Sequence, residues 1–360
     1  MRTGAKTAVI TVGTLVAFSL VVVIIIIICG HAAPCRVYRP HKARFPLAQV
    51  PTIDLVVTWV DGHDPKVVAL KQKYQALEDN PHPGATAPYR MESYDELKYL
   101  LRSVCRYAPW INKVHILVSH HQRPPWLVDS HVKLHVVNDT EVIPTSHLPT
   151  FNSHALEVNM HKIPGLAEHY IYCCDDMMFG NHTPPSSFFN RNGTLAMFLS
   201  PTSVRPVTDD QVKRSMHQHA WRNNYRALQA KSCYQIPQYL PSHQMLLTSK
   251  SLGKRMDEKF PDLVEATSSS KFRHADNIHP LGLQLYNGIC EGVVMPAETP
   301  PSMKYMGWSP SLPGVNKRKL RLISQTQPQL ICFNNIRGSN VQMWIDFAEE
   351  YFKGKCEFEK

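Results

Sequence analysis

No cysteine or histidine spacing in the chain reads as a zinc site, which removes zinc fingers and zinc-centred enzymes from consideration. Arginine-rich helices and paired aromatic-basic motifs are missing too, so the net charge of +10 at pH 7 does not point to nucleic acid. That charge, with nineteen histidines, fits a phosphate-bearing small substrate instead. There is no internal repeat. Disorder is excluded by a hydrophobic content of 43%, and 360 residues suffice for one large α/β domain or two smaller ones.

Charge of either sign is absent from Ala8 to Gly30, a stretch long enough to span a bilayer. A cleaved signal peptide ending near Ala32-Ala33 is the rival reading, but its apolar region would be shorter. The expected organisation is a cytoplasmic tail over 1–7, an anchor over 8–30, an extended stem over 31–50 containing Pro34, Pro40 and Pro46, and a catalytic domain over 51–360. Arg36, Arg39, Lys42 and Arg44 outnumber Arg2 and Lys6, so a positive-inside count opposes a lumenal domain. Three sequons, at Asn138, Asn181 and Asn192, favour one. Nine cysteines fit an oxidising compartment, with an odd one left over. The expectation is a single-pass type II protein of the Golgi membrane, its domain in the lumen.

Two apolar runs end on acids. Leu55 to Val60 reads as a strand closing on Asp61-Gly62, and Tyr170 to Cys174 as a buried strand closing on Asp175-Asp176. In an open α/β sheet ligands bind beyond the carboxyl ends of the strands, so these acids are placed at the mouth of a site. Paired acids there suit a divalent cation bridged to phosphate. Between them, helices are expected at Lys66–Leu77 and Glu92–Tyr107, and strands at Val114–Ser119 and Val132–Val137. A further helix follows Ser153, its expected cap, and would carry Glu157 and His161 on one face. Beyond Gly180, the stretch 209–229 reads as helix, 260–270 as loop, 330–335 as a short strand ending on Asn334 and Asn335, and 341–352 as a closing helix.

Taken in order, these pieces resemble the Stealth family of sugar-1-phosphate transferases. The resemblance rests on Ile53 to Gly62; on Arg90, Asp95 to Ser103, Ala108-Pro-Trp110, Pro125-Trp-Leu127, Leu148 to Ser153, Glu157, His161, Pro164-Gly-Leu166 and Tyr170 to Gly180; more weakly on His243, Lys250 and Phe272 to Asp276; and on Ile331 to Asn335. Three positions depart from the family pattern: Met245 replaces a proline, Cys174 an asparagine and Asn335 an aspartate.

The resemblance implies a Rossmann-like α/β nucleotide-sugar transferase domain with a central, mainly parallel sheet. It implies transfer of a hexose-1-phosphate or N-acetylhexosamine-1-phosphate from a nucleotide sugar (UDP-GlcNAc or another UDP- or GDP-sugar) to a glycan or glycoprotein hydroxyl, releasing nucleoside monophosphate. Such a step needs charge neutralisation on a diphosphate and a base for the acceptor proton. The implied catalytic residues are Glu157, Asp176, His243 and Arg273, with His243 or Glu157 as base. Asp61, Gly62, Arg102 and Ser103 would meet the nucleotide; Asp175, Asp176, Asn334 and Asn335 would hold Mg2+ or Mn2+. A metal-dependent glycosyltransferase releasing nucleoside diphosphate, or an inactive lectin-like escort protein, remain the alternatives.

Overall fold

In a computed structural model the described residues are 50–78, 82–203, 215–233 and 239–360, and they belong to one compact unit. The expected tail, anchor and all but the last residue of the stem lie outside them. No helix among the described residues is long and apolar enough to cross a membrane.

In chain order the elements are β1 (Ile53–Trp59), α1 (Pro65–Gln75), α2 (Pro83–Thr86), α3 (Glu96–Tyr107), β2 (Val114–Val118), β3 (Leu134–Asn138), α4 (Ser153–Asn159), β4 (His169–Cys174), β5 (Met177–Phe179), β6 (Leu195–Met197) and β7 (Leu199–Ser203). Then come α5 (Met216–Ala230), β8 (Tyr239–Pro241), β9 (Leu246–Ser249), α6 (Lys250–Lys259), α7 (Pro261–Ser269), α8 (Pro280–Cys290), β10 (Val294–Pro296), β11 (Met303–Gly307), α9 (Pro313–Thr326), β12 (Leu330–Asn334) and α10 (Val341–Tyr351).

The central sheet runs β3-β2-β1-β4-β9, parallel except for β9 at one edge. Leu55, Val56 and Val57 are fully buried, as a strand covered on both faces requires. β1 and β4 are direct neighbours, with Thr58 opposite Cys174, so Asp61 and the Asp175-Asp176 pair leave adjacent strands at the same end. That is where the strand order reverses, the position at which such sheets bind ligands. At the opposite end Asp54 is buried in β1, where His115 Nε2 (3.0 Å), Asn112 Nδ2 (2.8 Å) and the Ala167 amide (2.8 Å) meet its carboxyl. Burial alone would raise this carboxyl, but those hydrogen bonds outweigh it and hold it below its ordinary value.

A second sheet, β11-β12-β5, is reached directly from the first, because β5 begins just after the two acids. Asp175 and Asp176 are thus the link between two sheets. Phe333 N donates to Asp176 O (2.8 Å), fixing that link to β12. A disulfide joins Cys233, after α5, to Cys290 at the end of α8.

Three local expectations change. The stretch expected as loop at 260–270 is the helix α7: Pro261 opens it, and the hydroxyls of Thr267, Ser269 and Ser270 return to the carbonyls of Leu263, Glu265 and Ala266, so these polar residues do not break it. Asn152, not Ser153, caps α4, accepting from His154 N at 3.1 Å. Past Asn159 the chain tightens into a 3-10 turn, and His161 pairs with Asp257 (3.0 Å) rather than sharing a continuous face with Glu157.

Candidate active site

Arg273, in the loop between α7 and α8, donates through Nη2 to Ser153 Oγ on α4 at 2.7 Å. One turn along α4 lies Glu157, which is buried and hydrogen-bonded by Ser153 and by Tyr172 of β4. Burial pushes the Glu157 carboxyl up to about 7, against the opposing pull of the Arg273 charge. Tyr172 in turn meets Thr58 of β1 at 3.2 Å. A basic loop is thereby coupled through one helix to the two strands whose ends form the cleft.

The acid pair carries more like charge than protein groups neutralise. Asp175 is pushed up to about 7 by burial and by Asp176, and Asp176 to about 7 by burial and by Glu96 at the start of α3. Glu96 itself rises to about 8, through burial and Asp175. Asp176 Oδ1 is buried without a hydrogen-bond partner. An orphaned carboxylate oxygen beside two further acids is what a cation-binding cleft presents before its cation arrives. Among the described residues no three His, Cys, Asp or Glu side chains could together hold a metal ion. Asp175 and Asp176 are two hard oxygen donors of the kind that Mg2+ or Mn2+ takes.

His243 lies in the loop between β8 and β9, exposed at the mouth of the cleft, and its ring packs against Tyr305 of β11 at 5.8 Å between centroids. Asn334 Nδ2 donates to His243 Nε2 at 3.2 Å, and the same amide hydrogen-bonds Asp176. The crowding of protein around it and the Arg273 charge hold His243 below its ordinary value, so it is neutral and able to accept a proton at pH 7. Arg273 and Glu157 are linked through Ser153, His243 and Asp176 through Asn334, and the Arg273 charge acts on both Glu157 and His243. Of the two amides, Asn334 approaches Asp176 as an N–H donor rather than as a ligand oxygen, while Asn335 is exposed in left-handed backbone, φ 62°.

The expected nucleotide contacts divide. Asp61 follows β1 with its carboxylate partly open, Oδ1 accepting from His63 N at 2.8 Å. Gly62 serves backbone packing: its N–H donates to Met91 O, and a Cβ there would lie 2.1 Å from that oxygen. Arg102 and Ser103 have other tasks than the nucleotide. Arg102 is buried, with Nε and Nη2 donating to Glu359 at 2.8 and 2.9 Å and Nη1 to Glu349 at 2.7 Å. Ser103 Oγ donates to Leu100 O and accepts from Phe179 N, tying α3 to β5.

The sequence reading missed several cleft residues. Arg90 is pushed down to about 10 by the protein around it and by Arg273, and stays charged at neutral pH. His217 on α5, pushed down to about 4 by burial and the Arg273 charge, accepts from Trp221 Nε1 at 3.0 Å. His279 stacks on Trp221 at 4.4 Å and lies 5.4 Å from His154. Arg90 and four imidazoles, His154, His217, His243 and His279, thus lie within reach of the Arg273 charge, a positive pole suited to an anionic diphosphate. Only the position of Arg90 within the Stealth-like blocks hinted at this.

Residues 90–197 match the family described as Stealth protein CR2, conserved region 2. An exopolysaccharide phosphotransferase of Streptomyces coelicolor is 33% identical over 336 residues, covering 91% of this chain and 55% of that protein. A second from the same organism is 31% identical over 322 residues, covering 86% and 51%. A capsular polysaccharide phosphotransferase of Aeromonas hydrophila is 42% identical over 154 residues, 42% of each chain. The chain spans about half the length of the curated relatives it matches. Among solved structures, an inositol-1-phosphate CTP transferase from T. maritima superposes with a TM-score of 0.37 and 11% identity over 85% of this chain and 98% of that one, too loosely to add to the topology above. Over residues 90–197 the chain carries conserved region 2 of the Stealth family, with Glu157, Asp175 and Asp176 inside the matched region and His243 and Arg273 beyond it.

Proposed function

We propose that this protein transfers a sugar-1-phosphate from a nucleotide sugar to a hydroxyl of a glycan, releasing nucleoside monophosphate. The observation that carries the reading is the linkage of a neutral histidine, an arginine tied through Ser153 to a buried glutamate, and an undercompensated acid pair at the carboxyl end of β4, beside β1. Relatives printed as exopolysaccharide and capsular polysaccharide phosphotransferases support the same chemistry and a glycan acceptor.

Each residue then has a task. Arg273 and Arg90 draw the donor diphosphate into the cleft, and the planar Arg273 fork holds the transferring phosphoryl group. Glu157, gripped by Ser153 and Tyr172, keeps the Arg273 loop in place. His243, at the open mouth, takes the acceptor proton on Nε2, the nitrogen that Asn334 Nδ2 holds toward the site until the acceptor hydroxyl replaces that amide. Mg2+ or Mn2+ on Asp175 and Asp176 would supply charge neutralisation on the phosphate oxygens. A UDP- or GDP-hexose or N-acetylhexosamine is the donor class, and a type II arrangement in the Golgi membrane, its domain in the lumen, suits a glycan or glycoprotein acceptor.

The test is turnover by the folded chain across a panel of nucleotide sugars, comparing wild type with His243→Ala. Monophosphate release that falls by roughly 10² to 10⁴ in the variant, with donor binding retained, is expected. Unchanged turnover in His243→Ala would remove histidine from the step and move the proton to Glu157.

A further inference from the structure

We infer that Cys105 and Cys356 form a disulfide, in addition to Cys233–Cys290, that fastens the C-terminal tail to α3. The two side chains meet directly, one on the last turn of α3 and the other beyond α10, and both line one cavity of about 390 Å³ with Val104, Ala108 and Phe358. Bonds on either side of Cys356 hold the tail in this register without help from the sulfurs. Arg102, one turn before Cys105, grips Glu359 in a two-pronged ion pair, and Cys356 N donates to the same carboxylate at 3.0 Å. Val128 N donates to Phe358 O at 3.0 Å and Lys360 N to Trp126 O at 2.9 Å. Two thiols kept side by side in the reduced fold have a high effective concentration for one another, so ring closure costs little ordering.

The cavity gives a small oxidant access. Lys133, Lys355 and Glu357 line it, so its charge is mixed and a small zwitterionic disulfide is admitted. Cys105 is the attacking sulfur, since its contact with Cys356 holds it below the ordinary thiol value. Its thiolate attacks one sulfur of a small-molecule disulfide and releases one small thiolate. Cys356 then gives its proton to solvent and displaces the second small thiolate from the Cys105 sulfur. The protein loses two hydrogens and the small disulfide becomes two thiols. Cys173 and Cys332 are buried away from solvent and stay reduced.

The experiment equilibrates the full chain in detergent with oxidised glutathione, blocks remaining thiols with iodoacetamide under denaturing, non-reducing conditions, and maps the digested peptides by mass spectrometry. The expected result is a cross-linked peptide pair joining Cys105 to Cys356, beside the Cys233–Cys290 pair. Alkylated or glutathione-capped Cys105 and Cys356 in a sample whose Cys233–Cys290 link is intact would overturn the inference. Cys356→Ser is expected to lower Tm by roughly 5–10 °C, a gap that closes when both proteins are held in excess dithiothreitol. A gap that persists under reductant would assign the effect to packing and count against the bond.

Discussion

Replacing Arg102 with alanine isolates a buried ion pair from any part in donor binding. The guanidinium is 9% exposed and the Glu359 side chain 4%, so the variant leaves a nearly dry carboxylate facing a void. Breaking a buried pair by removing one partner costs about 3–5 kcal/mol, where an exposed pair would cost under about 1. For a domain of this size that corresponds to a Tm lower by roughly 5–12 °C. Thermal and urea denaturation should show the loss, and raising salt should alter it little because the pair is shielded from counterions. Glu359→Gln should cost less, and Arg102→Ala/Glu359→Gln should cost less than the sum of the two. Below its midpoint, Arg102→Ala should keep the donor KM of the wild type. A Tm within about 1 °C of wild type together with a donor KM raised tenfold would refute this reasoning and return Arg102 to the nucleotide.

Gly62→Ala should reduce turnover more than stability, because the new Cβ must displace the Met91 carbonyl and with it the segment carrying Arg90 and Glu96; Gly314→Ala, into open space, is the matched control and should be neutral in both assays. The Glu157 carboxyl rises to about 7 on folding from its ordinary value of 4.5, so the stability it contributes is full below about pH 4.5 and lost as pH rises through 7. Glu157→Gln should therefore gain on wild type in Tm between those values and hold a constant advantage above pH 7. Parallel Tm profiles from pH 4 to 8 would show that Glu157 does not titrate in this way. Asp176→Asn should weaken the dependence of turnover on added Mg2+ or Mn2+, measured by metal titration, since it removes a charged oxygen beside an already unpaired one.

How far the sequence could be read depended on the range of each interaction. β1 and β4 were legible because apolar runs that stop on acids carry their own signal, and the rule for open α/β sheets put the acids at the mouth of a site; that the two strands pair directly is seen only in the fold. Glu157, His243 and Arg273 could be singled out only by resemblance, since nothing local distinguishes His243 among nineteen histidines. Arg102 was assigned to the nucleotide because its partner Glu359 lies 257 positions away, and no periodicity reveals such a pair. Arg90, His217 and His279 escaped for the same reason: three separate segments bring them to Arg273. The helix α7 was hidden by a Ser/Thr-rich run whose hydroxyls turned out to bond within the helix. Asn335 was counted as a ligand by resemblance, but a left-handed backbone carries it into an exposed position, while Asn334 bonds His243.

The central claim is that a phosphoryl group, and not a bare sugar, leaves the donor. It is tested most directly with a nucleotide sugar carrying radiolabel only in the phosphorus bonded to the sugar. The label is expected to appear in the acceptor product while unlabelled nucleoside monophosphate is released, with both signals lost in Asp176→Asn and His243→Ala. Label retained in nucleoside diphosphate would mean cleavage at the anomeric carbon, and would contradict the account.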